Sequence, residues 1–150
     1  MTNARRRLSK LPEVPLLRLK PSEPYRVLSI IQPWAWGVIF AGKDVENRAW
    51  RTHYRGRVLI HASSKRRSRA EMAAHRRMLA RLAQVDLKEI PEDYGFSQIL
   101  GSVELVDCGE GIESRWSQEG FFHWTLRDQR RLAKPIAGVT GTHRLWQWTL

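Results

Sequence analysis

Helix-forming and strand-forming segments do not alternate along this chain, and that order limits its fold more than any other feature. Residues 27–31 are short, apolar and β-branched, and read as a strand. Gln32 and Pro33 then open a short helix that Gly42 closes. Trp34, Ala35, Trp36, Val38, Ile39 and Phe40 make that helix apolar on most sides, so it is expected in the core. Two strands follow, 45–50 and 57–62, read as a hairpin through 52–56 with Gly56 as the turn residue. Alternation along the first of them puts Glu46, Arg48 and Trp50 on one face. Ser68-Arg69-Ala70-Glu71 has the form of a capping box. The helix it starts has a stripe of Met72, His75, Leu79, Leu82 and Ala83, with Arg77 and Arg81 well away from it. After a loop at 87–98 come strands at 99–108, 121–126 and 145–150, with a basic linker at 127–134. This order excludes a doubly wound nucleotide-binding fold. It predicts an α+β protein, a small mixed β-barrel flanked by helices.

A chain of 150 residues suits one domain. Residues 1–24 hold six basic groups against Glu13 and Glu23, and Pro12, Pro15, Pro21 and Pro24, so they are expected to form a flexible basic tail ahead of a domain at 25–150. Arg5, Arg6 and Arg7 are followed by no apolar stretch, and no run approaches the ~18 residues of a membrane span, so neither a secretory signal nor a membrane segment is expected. The lone Cys108 has no disulfide partner, and a cytoplasmic location is the expectation.

The charge is +11, with 20 arginines and six lysines against 15 acids. Such an excess favours a polyanionic partner, because neutralised phosphates release their counterions. An arginine-rich compositional bias would give the same number. Seven basic residues crowd into 65–81 against the single Glu71, either along a phosphate backbone or as a solvated helix face. Seven tryptophans are mostly expected in the core, although an exposed one would serve as a stacking platform.

The common cofactor signatures are absent. No GxxxxGK phosphate loop, GxSxG elbow or HExxH pair occurs. Gly109-Glu110-Gly111 lacks the third glycine of a dinucleotide turn, Ser114 standing in its place. His53, His61, His75, His123 and His143 are scattered, so no local spacing predicts a metal site.

The most specific pattern lies between Leu28 and Ser63. Gln32-Pro33-Trp34-Ala35 is followed by Gly42-Lys43-Asp44-Val45-Glu46-Asn47-Arg48-Ala49-Trp50, then by Tyr54-Arg55-Gly56-Arg57-Val58-Leu59-Ile60-His61-Ala62-Ser63. With Gly101-Ser102-Val103-Glu104-Leu105-Val106-Asp107 and the stretch from Pro135-Ile136 to Leu145-Trp146, the chain resembles the ASCH domain family of the PUA-like superfamily over roughly residues 25–150. The resemblance implies a PUA-like barrel with a nucleic-acid-binding cleft. RNA, single-stranded or modified, is the first partner it implies, and DNA a second.

The residues bearing on such a site are Gln32, Trp34, Lys43, Arg48, Tyr54, His61 and Ser63, with the basic Lys65, Arg66 and Arg67 beside them. Lys43 reads as a phosphate ligand or a base in the cleft, or as an exposed residue after the helix cap. Glu46 and Arg48 read a base edge or pair with each other. Tyr54 stacks on nucleic acid or packs its own turn, and His61 is a ligand or a core histidine. Enzymatic branches of the family imply an alternative, a hydrolase with Lys43, Glu46 and Tyr54 as catalytic candidates. One branch deacylates N4-acetylcytidine with a lysine, a threonine nucleophile and a glutamate; Lys43 matches its lysine, but Glu46 occupies the threonine position. A second resembles ribonucleases that use a divalent metal. Whether this chain is catalytic, and its oligomeric state, stay open.

Overall fold

A computed structural model describes residues 8–150; Arg5, Arg6 and Arg7 of the expected tail lie outside the described residues. The elements are β1 (Pro24–Ile30), α1 (Trp34–Phe40), β2 (Val45–Arg48), β3 (Gly56–Ala62), α2 (Arg69–Ala83), a 3₁₀ turn (Leu87–Glu89), β4 (Gln98–Gly109), β5 (Phe122–Ile136) and β6 (Leu145–Thr149). The fold is α+β: one six-stranded sheet in the order β2-β5-β4-β3-β1-β6 and two α-helices. The sheet is mixed, because β1 and β3 run parallel while the other neighbours are antiparallel.

The expected closed barrel is not what the strand order gives. Among the described residues no ladder joins β2 to β6, so the sheet keeps two ends. Register shifts interrupt the β4–β5 ladder at three places, and bulges of this kind add local twist.

Two further expectations are corrected. Strands β2 and β3 do not form a hairpin; β5 and β4 lie between them. Val45 and Glu46 are buried and pair with Thr125 and Trp124 on β5, which draws β2 to the far edge. Residues 49–55 are long enough to cross the three strand spacings, about 14 Å, that separate the two. Gly56 does have positive φ, 131°, but it starts β3 instead of turning a hairpin. Residues 127–134 are not a linker but the middle of β5, where Arg127, Arg130 and Arg131 oppose Glu104, Ser102 and Gly101. Their mostly exposed pattern lacks the apolar alternation that marks a half-buried strand. What holds them is the ladder to β4 and an ion network in which Arg57 lies 3.1 Å from Glu104 and 2.6 Å from Asp128. The Arg57 hydrogen bond holds the Asp128 carboxyl below the usual carboxylate range.

The helices follow their sequence signals. The side-chain oxygen of Gln32 accepts from the Trp36 amide at 2.9 Å, filling the role of a cap that Pro33 cannot supply. Gly42, at φ 70°, turns the chain after α1. The Ser68 hydroxyl accepts from the Glu71 amide at 3.2 Å, the serine half of the expected capping box. Leu79 and Ala80 are the buried residues of α2, while Arg77 and Arg81 are exposed.

α1 packs on the sheet in a core that includes Leu28, Ile30, Val38, Ile39, Val58, Ile60, Val103, Leu105, Trp124 and Leu126. α2 closes a second cluster with Val45, Val85, Ile90 and Trp116. Residues 8–23 form no helix or strand beyond an isolated bridge, as their prolines dictate, yet they are anchored. The Leu17 amide donates to the Arg131 carbonyl, and the Arg131 amide to the Pro15 carbonyl, both within 2.9 Å. Val14, Leu17 and Leu19 pack on the core.

Candidate functional site

Two hollows adjoin across one ion pair. The first, about 530 Å³, opens at the C-terminal ends of the parallel strands β1 and β3. Ser29 and His61 are register partners there, so their side chains meet. The Ser29 hydroxyl lies 2.8 Å from His61 Nδ1, and His61 Nε2 lies 2.7 Å from the Val139 carbonyl. A carbonyl only accepts, so Nε2 carries the proton, Nδ1 accepts, and Ser29 donates. Burial pushes the His61 pKa down, against the opposing pull of the Val139 carbonyl, and favours that neutral tautomer. The Trp146 indole donates to Ser29 Oγ at 3.3 Å. This chain of bonds pins the β5–β6 loop over the strand ends. Gly141 lets the loop sit close: a Cβ there would be 2.5 Å from Ser29 Oγ and 2.8 Å from His61 Cε1.

The pinned loop brings Thr142, His143 and Arg144 to the hollow. Arg144 and Arg48 both stand over the Trp50 ring, their guanidinium carbons 5.1 and 5.9 Å from its centroid. Ser63 and Ser64 supply further hydroxyls. No carboxylate is among the lining residues; the hollow presents two guanidiniums and several hydroxyls, and the nearest counter-charge, Glu46, lies 4.0 Å from Arg48 and lines the neighbouring hollow instead. That chemistry suits an anionic, hydrogen-bond-accepting group.

The second hollow, about 470 Å³, lies between α2 and the segment carrying Lys43 and Glu46. Lys43 is buried, its side chain only 5% exposed; its ammonium donates to the Val45 carbonyl at 2.6 Å and to Glu46 at 3.3 Å. The other Glu46 oxygen lies 4.0 Å from Arg48, so one carboxylate bridges a cation of each hollow. Trp34 donates from its indole to His75 Nδ1 at 3.0 Å. His75 is pushed down by burial first and by Arg67 second, with Glu71 opposing.

The sequence profile of the ASCH domain matches residues 28–135. The chain belongs to the ASCH domain family. It is also similar to two proteins bearing the name Activating signal cointegrator 1. It is 41% identical to the mouse protein over 94 residues, 63% of this chain and 16% of that protein. Against the human protein it is 40% identical over 81 residues, 54% of this chain and 14% of that protein. The similarity thus spans about a sixth of the mouse protein's length and about a seventh of the human protein's.

Within this ASCH domain the expected site residues separate into groups. Arg48, His61 and Ser63 line the first hollow; Trp34, Lys43, Glu46 and Arg67 line the second. Gln32 is buried, with its amide tied to the Gly95 carbonyl and the Trp36 amide, so it is a structural fastener. Tyr54 reaches neither hollow: its hydroxyl donates to the Arg57 carbonyl at 2.8 Å, and its ring packs beside Arg26 at the opposite end of β1 and β3. Lys65 is exposed and lines neither hollow, and Arg66 faces a third. The side chains missed in the first hollow are Ser29, Trp50, Ser64, Thr142, His143 and Arg144. Ser29, Trp50 and Ser64 lie in or beside the motif block; the loop residues lie beyond the profile match, inside the 135–146 stretch, whose sequence does not mark out which of its side chains reach the hollow.

A divalent metal, implied by the ribonuclease branch, does not suit these residues. Among the described residues no group of three or more His, Cys, Asp or Glu is placed to hold one, and Glu46 is held by Lys43 and Arg48. No described helix is long and apolar enough to cross a membrane.

Proposed function

We propose that this ASCH domain binds single-stranded nucleic acid, RNA in the first place, with a phosphate held in the first hollow. The observation that carries the reading is the pair Arg48 and Arg144 over Trp50 in a hollow with no carboxylate in its lining. Guanidiniums bind phosphate bidentately, and Ser63, Ser64 and Thr142 offer donors to its remaining oxygens or to a ribose 2′-hydroxyl. The net charge of +11 supports the same reading at longer range. The cointegrator relatives fit an interaction module better than a stand-alone enzyme.

A salt titration of fluorescent single-stranded RNA and DNA tests this. Affinity should fall with salt by about 0.7 log units per log unit for each phosphate contacted. Arg48→Ala/Arg144→Ala should weaken binding at least about tenfold and flatten that slope by roughly one contact. Absence of binding at low salt, or a double variant indistinguishable from the parent, overturns the reading.

The hydrolase alternative, acting on RNA or on an acylated nucleoside such as N4-acetylcytidine, draws support from the Lys43–Glu46 pair facing the second hollow. Against it stand the missing hydroxyl nucleophile at position 46, the ammonium already bonded to two acceptors, and Tyr54 at the far end of the strands.

A further inference from the structure

Residues 63–67 lead out of the first hollow to a third, about 590 Å³, between the start of α2 and the segment 92–96. Its lining includes four arginines against Glu92 and Asp93. Two of the four have structural work: Arg67 donates to the Gln32 carbonyl, and Arg76 to the Ile90 and Pro91 carbonyls. Arg66 differs. Its guanidinium carbon lies 4.0 Å from the Phe96 ring centroid, the shortest cation–π distance among the described residues. The side chain is exposed, and among the described residues its nitrogens have no hydrogen-bond or ion-pair partner.

A guanidinium resting on a phenyl ring has one covered face and one open face. The stack fixes a long side chain that would otherwise be mobile, so a ligand meeting the open face has less entropy to overcome. Planar guanidiniums in this state are stacking platforms for unpaired bases. Arg69, exposed beside it and without a partner among the described residues, is placed to meet a phosphate.

We propose that the Arg66–Phe96 stack is a second nucleotide subsite, which takes a base of the same single strand whose phosphate occupies the first hollow. The proposal rests on the nucleic-acid reading of that hollow. Ser63 lines the first hollow and Arg66 the third, and three residues span at most about 10 Å. At roughly 3.4 Å of rise per stacked nucleotide, about three nucleotides bridge the two. A dinucleotide, one such step long, therefore fills the first hollow without reaching the platform, whereas a nonanucleotide engages both.

Binding of oligouridine dimers and nonamers to the whole chain separates the possibilities. The expected result is a nonamer bound more tightly than its phosphate count alone predicts, with Arg66→Ala and Phe96→Leu each lowering nonamer affinity at least about fivefold and leaving dimer affinity unchanged. Arg66→Lys keeps the charge but not the plane, and should lose nearly as much as Arg66→Ala. Full affinity in Arg66→Lys, or equal losses for dimer and nonamer, overturns the platform. Dimer binding with no extra gain on lengthening overturns it too while leaving the first hollow's function standing. No binding of either oligomer overturns both.

Discussion

Lys43 shows how a residue can be correctly placed by its motif and still have an unexpected task. Its ammonium has no exposed, ligand-seeking geometry; it sits under 5% exposure on the Val45 carbonyl and the Glu46 carboxylate. Removing it leaves Glu46, itself 10% exposed, with only Arg48 at 4.0 Å as a counter-charge. Lys43→Ala should therefore lose about 3–5 kcal/mol of stability, the usual consequence of orphaning one member of a buried pair. Lys43→Met with Glu46→Leu removes both charges and should recover most of that loss. Arg77→Ala, on an exposed helix face, should stay within about 0.5 kcal/mol. Urea unfolding of the three variants checks this; a double variant as unstable as Lys43→Ala would show that the pair does not act as a unit. In RNA affinity, too, Lys43→Ala should lose more than Arg77→Ala, through displacement of Glu46 and hence Arg48.

The element that most depends on a single titratable group is the β5–β6 loop. His61, neutral and buried, links Ser29 on β1 to the Val139 carbonyl in that loop. Its pKa is lowered from 6.5 by burial, so the unfolded chain takes up a proton before the folded one does. The sign follows: this contribution is complete above about pH 6.5 and is lost progressively as the pH falls below it. His75 shifts in the same direction and adds to the effect. His61→Gln should reduce the acid-side decline in stability, and RNA binding through Arg144 should weaken in parallel with the decline in the parent protein. Thermal melts from pH 8 to 5 that are parallel for parent and variant would remove His61 from the account.

Across the whole molecule, the proline-rich segment 8–23 acts as a strap. It crosses to β5 through the hydrogen bonds to Arg131, and its apolar residues alternate inward at Leu11, Val14, Leu17 and Leu19. Each is half-buried and contributes about 1 kcal/mol before the entropy of ordering the segment is counted. Deleting residues 1–19 should cost about 2–4 kcal/mol, measured by denaturant unfolding. An unchanged midpoint would mean that the segment is a dispensable tail.

The strap also marks where reading the chain alone reached its end. Period and punctuation are local, extending over a turn of helix or a few strand residues, and they identified α1, α2, β1, β3, β4, β6 and the start of β5. They also brought Lys43, Glu46 and Arg48 together, because those three lie within six residues on one turn and strand. Pairing is a different kind of information. The departure of β2 from β3, the extension of β5 through 127–134 and the docking of residues 8–23 depend on which buried surfaces fit, across separations no window contains. The first hollow is the sharpest case: the bond between Trp146 and Ser29 spans 117 residues, and Arg144 reaches Trp50 only after the loop has been pinned. The amino-acid sequence by itself determined the family, the helices, the Lys43–Glu46–Arg48 cluster and the positive charge, all set by neighbours along the chain. Only the tertiary structure decided which cations face a hollow free of carboxylates, because that depends on long-range packing of strand ends that local side-chain chemistry does not encode.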